Sequence, residues 1–75
     1  MLIINGEGNM VQKVIEIVGI SDESFAKAGD NAIQVASETI RDIRWARVGE
    51  MECKVDKSKI VEYRVLMRIY FDVER

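Results

Sequence analysis

Histidine is absent from this chain and cysteine occurs once, as Cys53. A lone cysteine excludes any disulfide within the chain, and without histidine or a second cysteine no zinc site of the usual kind is possible. The same scarcity removes the common catalytic bases, and Cys53 has no sequence-positioned partner to activate it, so it reads as a small core residue. Long apolar runs are missing too. Val14-Ile15 and Ile17-Val18 are broken by charges within a few residues, so nothing is long enough to span a bilayer. No charged leader with a long apolar core is present, so the expected location is the cytoplasm. Neither sign of charge dominates: eleven basic and thirteen acidic residues intermingle to a net charge of −2. That balance offers no broad basic field for nucleic acid or an anionic membrane.

With 75 residues the chain forms one domain. A domain of this size buries only roughly 60% of the surface its unfolded chain exposes, and usually needs a staple. Disulfides and zinc being excluded, self-association is the remaining route. A composition of 48% apolar and 32% charged residues suits a protomer that covers part of its surface with copies of itself.

Residues 1–9 read as a lead-in, because Gly6 and Gly8 interrupt any regular element. A glycine-rich phosphate cradle would need a closing lysine and hydroxyl, which are not there. An alternative natural start is Met10, since Gly6-Glu7-Gly8 would be encoded by purine-rich codons of the kind that precede a bacterial start. From residue 10 to 75 the pattern is that of a domain. Val11 to Val18 is rich in β-branched residues and bounded by Gly19, which predicts a first strand. Ser21, Asp22, Glu23 and Ser24 supply capping oxygens and negative charge for a helix start. Phe25, Ala28, Ala32, Ile33, Ala36, Ile40 and Ile43 then form one helical face, opposite Lys27, Asp30, Asn31, Gln34, Glu38 and Arg41. Gly29 costs such a helix about 1 kcal/mol against alanine, which predicts a close backbone approach there.

From Trp45 to Val55 the residues alternate but slip once: Val48 has the opposite parity to Met51, Cys53 and Val55, so a β-bulge is expected at Gly49. Residues 56–59 form a polar turn. Val61, Tyr63, Val65, Met67, Ile69, Phe71 and Val73 then alternate as the clearest strand in the chain. Thirteen residues of strand cover about 43 Å, more than the roughly 27 Å of an eighteen-residue helix, so part of the sheet needs cover from neighbouring protomers. The expected fold is α+β, a β-α-β-β protomer whose antiparallel or mixed three-stranded sheet has the order 1-3-2 and packs on one helix.

Among side chains that carry chemistry, Arg44, Trp45, Arg47, Arg64 and Arg68 stand out, because they belong to two strands expected to lie side by side. Guanidinium groups beside an indole suit a flat electron-poor ring or a phosphorylated aromatic ligand. The same arginines can equally form ion pairs with Glu50, Glu52 and Glu62, and a tryptophan such as Trp45 is more often a packing anchor than a platform. Single-stranded RNA is a weaker fit to one tryptophan and an acidic total.

Taken together, Lys13-Val14-Ile15-Glu16-Ile17-Val18-Gly19, Ser21 and Ser24, Ala32-Ile33, Thr39-Ile40-Arg41, Ile43-Arg44-Trp45, Glu62-Tyr63 and Phe71-Asp72-Val73-Glu74 resemble the dodecins over residues 10–75. The resemblance implies a hollow homododecamer that stores or sequesters flavin, as FMN or riboflavin, without turnover. It implies isoalloxazine rings sandwiched between tryptophans of two subunits, with Trp45 in that position and Arg44, Glu50 and Arg64 shaping the ring edges. Some dodecins bind calcium or other ions instead, and bacterial ones also bind coenzyme A. Two departures bear on this. Arg64 follows Tyr63 where flavin-binding members usually carry glutamine, and a guanidinium has donors only, so it cannot copy an amide's paired donor and acceptor. Ala46 follows the tryptophan where phenylalanine is common. The alternative implied is a dodecin shell that has lost flavin and acts as an ion-binding or structural assembly, with Glu50 holding a cation or pairing with Arg64.

Overall fold

A computed structural model describes residues 10–73. The lead-in expected over residues 1–9, like Glu74 and Arg75, lies outside the described residues. The chain runs β1 (Gln12–Ser21), α1 (Phe25–Ser37), β2 (Ile43–Asp56) and β3 (Lys59–Asp72). Both β1 and β2 pair antiparallel with β3, so the sheet order is β1-β3-β2, as the length and regularity of the last strand led one to expect. Every hydrogen-bonded pair is antiparallel, and α1 carries the chain between two strands that point the same way without touching.

Alternation along β3 decides which face is covered. Val65, Met67 and Ile69 are buried against Ala28, Ala32 and Ala36 of the helix, with Ile15, Ile17, Phe25, Ile33, Ile40 and Ile43 partly buried around them. Alanines at every fourth position make a flat stripe, so the helix sits low on the sheet. The closest approach is at Gly19, where an added Cβ would lie 1.9 Å from the Ala28 carbonyl oxygen. Gly29, the glycine expected to permit close packing, meets nothing nearer than the Met67 sulfur at 3.9 Å. Close approach is therefore a property of the strand glycine and not of the helical one. β1 consequently does not stop at Gly19 but runs through it to Ser21, whose Oγ accepts from the Glu23 N–H at 2.9 Å.

The helix is capped by Ser24, whose Oγ accepts from the Lys27 N–H at 2.9 Å. It ends at Ser37, thirteen residues long where eighteen were expected. Thr39 and Ile40 both donate back to the Ala36 carbonyl, and Asp42 takes a left-handed conformation with φ 62° that no helix continues through. Ile40 and Ile43 still reach the core, one from the loop and one from the first residue of β2. Asn31, expected on the solvent side, donates its amide to the Ile20 carbonyl at 2.9 Å and ties the helix to the sheet edge.

The hairpin turns at Lys57 and Ser58, both at positive φ (52° and 66°) without a glycine. A register shift between Val48 and Met51 places the expected bulge at Gly49. A thirteen-residue helix covers about 20 Å, whereas β3 with fourteen residues extends about 46 Å, and the molecule measures 58 × 24 × 14 Å. The hairpin end therefore projects beyond the helix, leaving Met51, Val55, Ile60 and Val61 exposed. Cys53 belongs to this uncovered end and is exposed, contrary to its expected place in the core. Among the described residues no helix is long and apolar enough to cross a membrane.

Candidate functional site

The sheet face away from the helix carries the polar chemistry, and antiparallel register sorts it into rows across the three strands. Val14, Tyr70 and Trp45 form one row; Glu16, Arg68 and Arg47 form the next; Ile20, Arg64 and Glu52 form one near the other end. Trp45 is 70% exposed. In a protomer that buries so little, an indole left in the open is not a core anchor. A cavity of about 410 Å³ lies against it, lined by Gln12, Trp45, Ala46, Arg47 and Tyr70. A planar aromatic surface beside a tyrosine ring fits a flat ring stacked on the indole.

Arg44 sits at a register shift between Ile43 and Trp45, an extra residue that turns its side chain toward Asp72. Its Nε donates to Asp72 Oδ2 at 3.0 Å, and its Nη2 lies 4.0 Å from Asp42 Oδ1. Gln12 Nε2 donates to the other oxygen, Asp72 Oδ1, at 2.9 Å. These bonds hold the Asp72 carboxyl below the usual carboxylate range, the Gln12 amide contributing most and the Arg44 hydrogen bond next. The Arg44 guanidinium is correspondingly raised by its hydrogen bond to Asp72 and then by the charges of Asp72 and Asp42. A carboxyl whose folded pKa is depressed stabilises above its unfolded pKa of about 3.9 and loses that contribution as pH falls through the folded value. Asp72→Asn is therefore expected to be less stable than the parent at neutral pH. The difference should close below about pH 4 in acid-unfolding curves of the two proteins, and a gap that persists in acid would contradict this.

Arg68 is likewise committed, its Nε donating to Glu16 Oε2 at 2.9 Å. Glu50 and Arg64 lie elsewhere. They share a smaller cavity of about 110 Å³ with Val18, Glu52 and Leu66, and Arg64 stands opposite Glu52 in the register. Six residues of β3 separate Arg64 from Tyr70, the partner of Trp45, which is about 20 Å. Of the four residues expected at the site, Trp45 lines the cavity while its chain neighbour Arg44 is turned to Asp72, and Glu50 and Arg64 lie together elsewhere. Among the described residues no ion pair joins Glu50 to Arg64, nor does any group of three or more acidic or cysteine side chains stand ready to hold a metal ion within one protomer.

Gln12 and Tyr70 were not legible as site residues, since only the β1-β3-β2 register brings them to Trp45. Arg47 did carry a signal: two residues from Trp45 on a strand, it had to share the indole's face.

Fold and site define a small α+β protomer that presents an uncovered indole on an open sheet face. The family profile described as Dodecin matches residues 11–74, and the chain belongs to the dodecin family. The calcium dodecin of Mycobacterium tuberculosis is 39% identical over 61 residues, covering 81% of this chain and 86% of that protein. The dodecin of Thermus thermophilus is 31% identical, covering 85% and 93%. In three dimensions the dodecin of Streptomyces coelicolor superposes with a TM-score of 0.86 at 27% identity, over 89% of this chain and 96% of the other.

Proposed function

We propose that this dodecin is a non-catalytic, cytoplasmic flavin-storage or sequestration protein, in which FMN or riboflavin stacks on Trp45 where two subunits meet. The observation that carries the reading is the indole itself, 70% exposed against a cavity with Tyr70 across the strand. Bound there, flavin would supply an absorbing, photoreactive ring, which an indole at stacking distance quenches. The protein's own part is to present the indole beside Tyr70, at a strand end tied by the bonds of Arg44 and Gln12 to Asp72, and to exclude water from the ring faces. Glu50 and Arg64, remote within a protomer, would reach the ring edge from a second subunit. Catalysis has no candidate base or activated nucleophile in this reading, and nucleic acid and membranes are not partners of so balanced a charge.

Assembly into a homododecamer, by residues 10–75 acting as one domain, is part of the same proposal. An open apolar cavity of about 440 Å³ lies along α1 and β1, with Val18, Ile20 and Val35 exposed among its lining residues, and the projecting hairpin is uncovered as well. Contiguous apolar surface on so thin a molecule is what copies of the chain would bury. Light scattering at micromolar concentration is expected to give twelve times the 8.6 kDa protomer mass. A stable monomer would overturn it.

Titration of flavin fluorescence tests the ligand. Saturable quenching is expected with the parent, and Trp45→Ala is expected to weaken binding by about ten- to a hundredfold, stacking on an aromatic side chain contributing about 1–3 kcal/mol. Unchanged affinity in that variant would remove the stacking role. A second reading, a shell that has lost flavin and holds ions, is favoured by one observation: a relative 39% identical is named calcium dodecin. Arg64→Gln separates the two. Flavin binding that emerges or strengthens in this variant points to a local loss at the ring edge.

A further inference from the structure

The sheet face around Trp45 holds three arginines, and they are not equivalent. Arg44 is neutralised by Asp72 and Asp42, and Arg68 by Glu16. Arg47 has no carboxylate within ion-pair distance among the described residues, although it lies directly opposite Arg68 in the register. Two like charges facing each other across a strand pair are unfavourable. The positive charge at this point is thus uncompensated by the protomer, and it is adjacent to the indole. Two residues along β2 place Arg47 about 7 Å from Trp45 on the same face, and both line the one cavity.

We propose that the Trp45 site takes a planar ligand carrying a phosphate group, and that Arg47 is the residue that meets the phosphate. The proposal rests on the flavin reading above and adds to it which flavin is taken. A guanidinium fork matches two phosphate oxygens. The carboxylates nearest the cavity, Asp72 and Glu16, are both engaged by other arginines, so they oppose an incoming anion less than free carboxylates would. With a net charge of −2 the chain as a whole does not attract anions, and selectivity for a phosphorylated ligand has to come from a local residue. Arg64 is poorly placed for the task within the protomer, standing opposite Glu52 and about 20 Å along the strand.

The test is a fluorescence titration of the assembled protein with FMN and with riboflavin, in low and in high salt, with inorganic phosphate as a competitor. FMN is expected to bind about tenfold more tightly than riboflavin in low salt. Salt is expected to narrow the gap by screening an exposed charge pair. Inorganic phosphate should weaken FMN and leave riboflavin unaffected. Arg47→Gln should bring FMN down to riboflavin's affinity while riboflavin's own stays within about twofold, and Arg47→Lys should restore part of the gap, since a point charge keeps the attraction without the fork. Equal affinities in the parent, or an Arg47→Gln variant that weakens both flavins alike, would overturn the assignment while leaving the stacking site in place. Binding of neither flavin would refute the flavin reading itself, and this inference with it.

Discussion

Gly19→Ala is expected to lose about 3 kcal/mol or more of stability, because the new methyl group has nowhere to go. Its position lies 1.9 Å from the Ala28 carbonyl oxygen, 2.8 Å from the Ala28 carbonyl carbon and 3.0 Å from the Ala32 Cβ. The first two are backbone atoms in the first turn of α1, so relief requires the N-terminal half of the helix to lift from β1. Lifting it would also open the contacts of Ala28, Ala32 and Ala36 with Val65, Met67 and Ile69, which are the buried core. Gly29→Ala is the contrasting experiment. Its nearest neighbour is the flexible Met67 side chain at 3.9 Å, so the helix should gain about 0.5–1 kcal/mol from better propensity. Urea unfolding followed by circular dichroism compares the two, and an unshifted midpoint for Gly19→Ala would show that the helix does not rest on β1 as described.

Ile69→Ala is expected to cost about 2–5 kcal/mol, transfer and cavity terms together. Ile69 is wholly buried, in the central strand, with Ile15 and Ala46 beside it on the two neighbours. Small domains are stable by only about 5–15 kcal/mol, so this one truncation removes a large share. Ala46 cannot fill the gap and the three helical alanines have no length to give. Because the proposed assembly would add stability by mass action, the loss should appear as a lower unfolding midpoint that recovers partly as protein concentration rises. An unchanged midpoint at all concentrations would mean that the strand centre is not the core.

The reach of the sequence differs from element to element for physical reasons. β3 was legible because strand periodicity is local: seven apolar residues at every second position leave one face for the core. Gly49 was legible as a bulge because a single parity slip has one economical repair. The helix stripe through Ala36 was legible on the same grounds, but its end was not. Ile40 and Ile43 continue the spacing of the stripe while belonging to a loop and a strand, since both elements bury apolar residues in the same core. The Asp42 conformation that separates them has no strong signature in side-chain type. Cys53 was misread because alternation tells which face a residue takes and not whether anything covers that face.

At the candidate site the same division applies. Trp45 beside arginines was visible in one stretch of chain, and the dodecin family followed from motifs spread along nearly all of it. By itself the sequence determined the order of elements, the core face of β3 and the candidate indole, because each depends on residues close together in the chain. Only the tertiary structure decided that Gly19 seats the helix, that Gln12 and Tyr70 border the indole, and that Arg64 is remote from it. Those facts depend on sheet register and on what lies above each strand, which bring together residues up to 60 positions apart, as in the bond from Gln12 to Asp72. No local pattern encodes such a pairing, since a shift of one residue in register would send every one of these side chains to the other face.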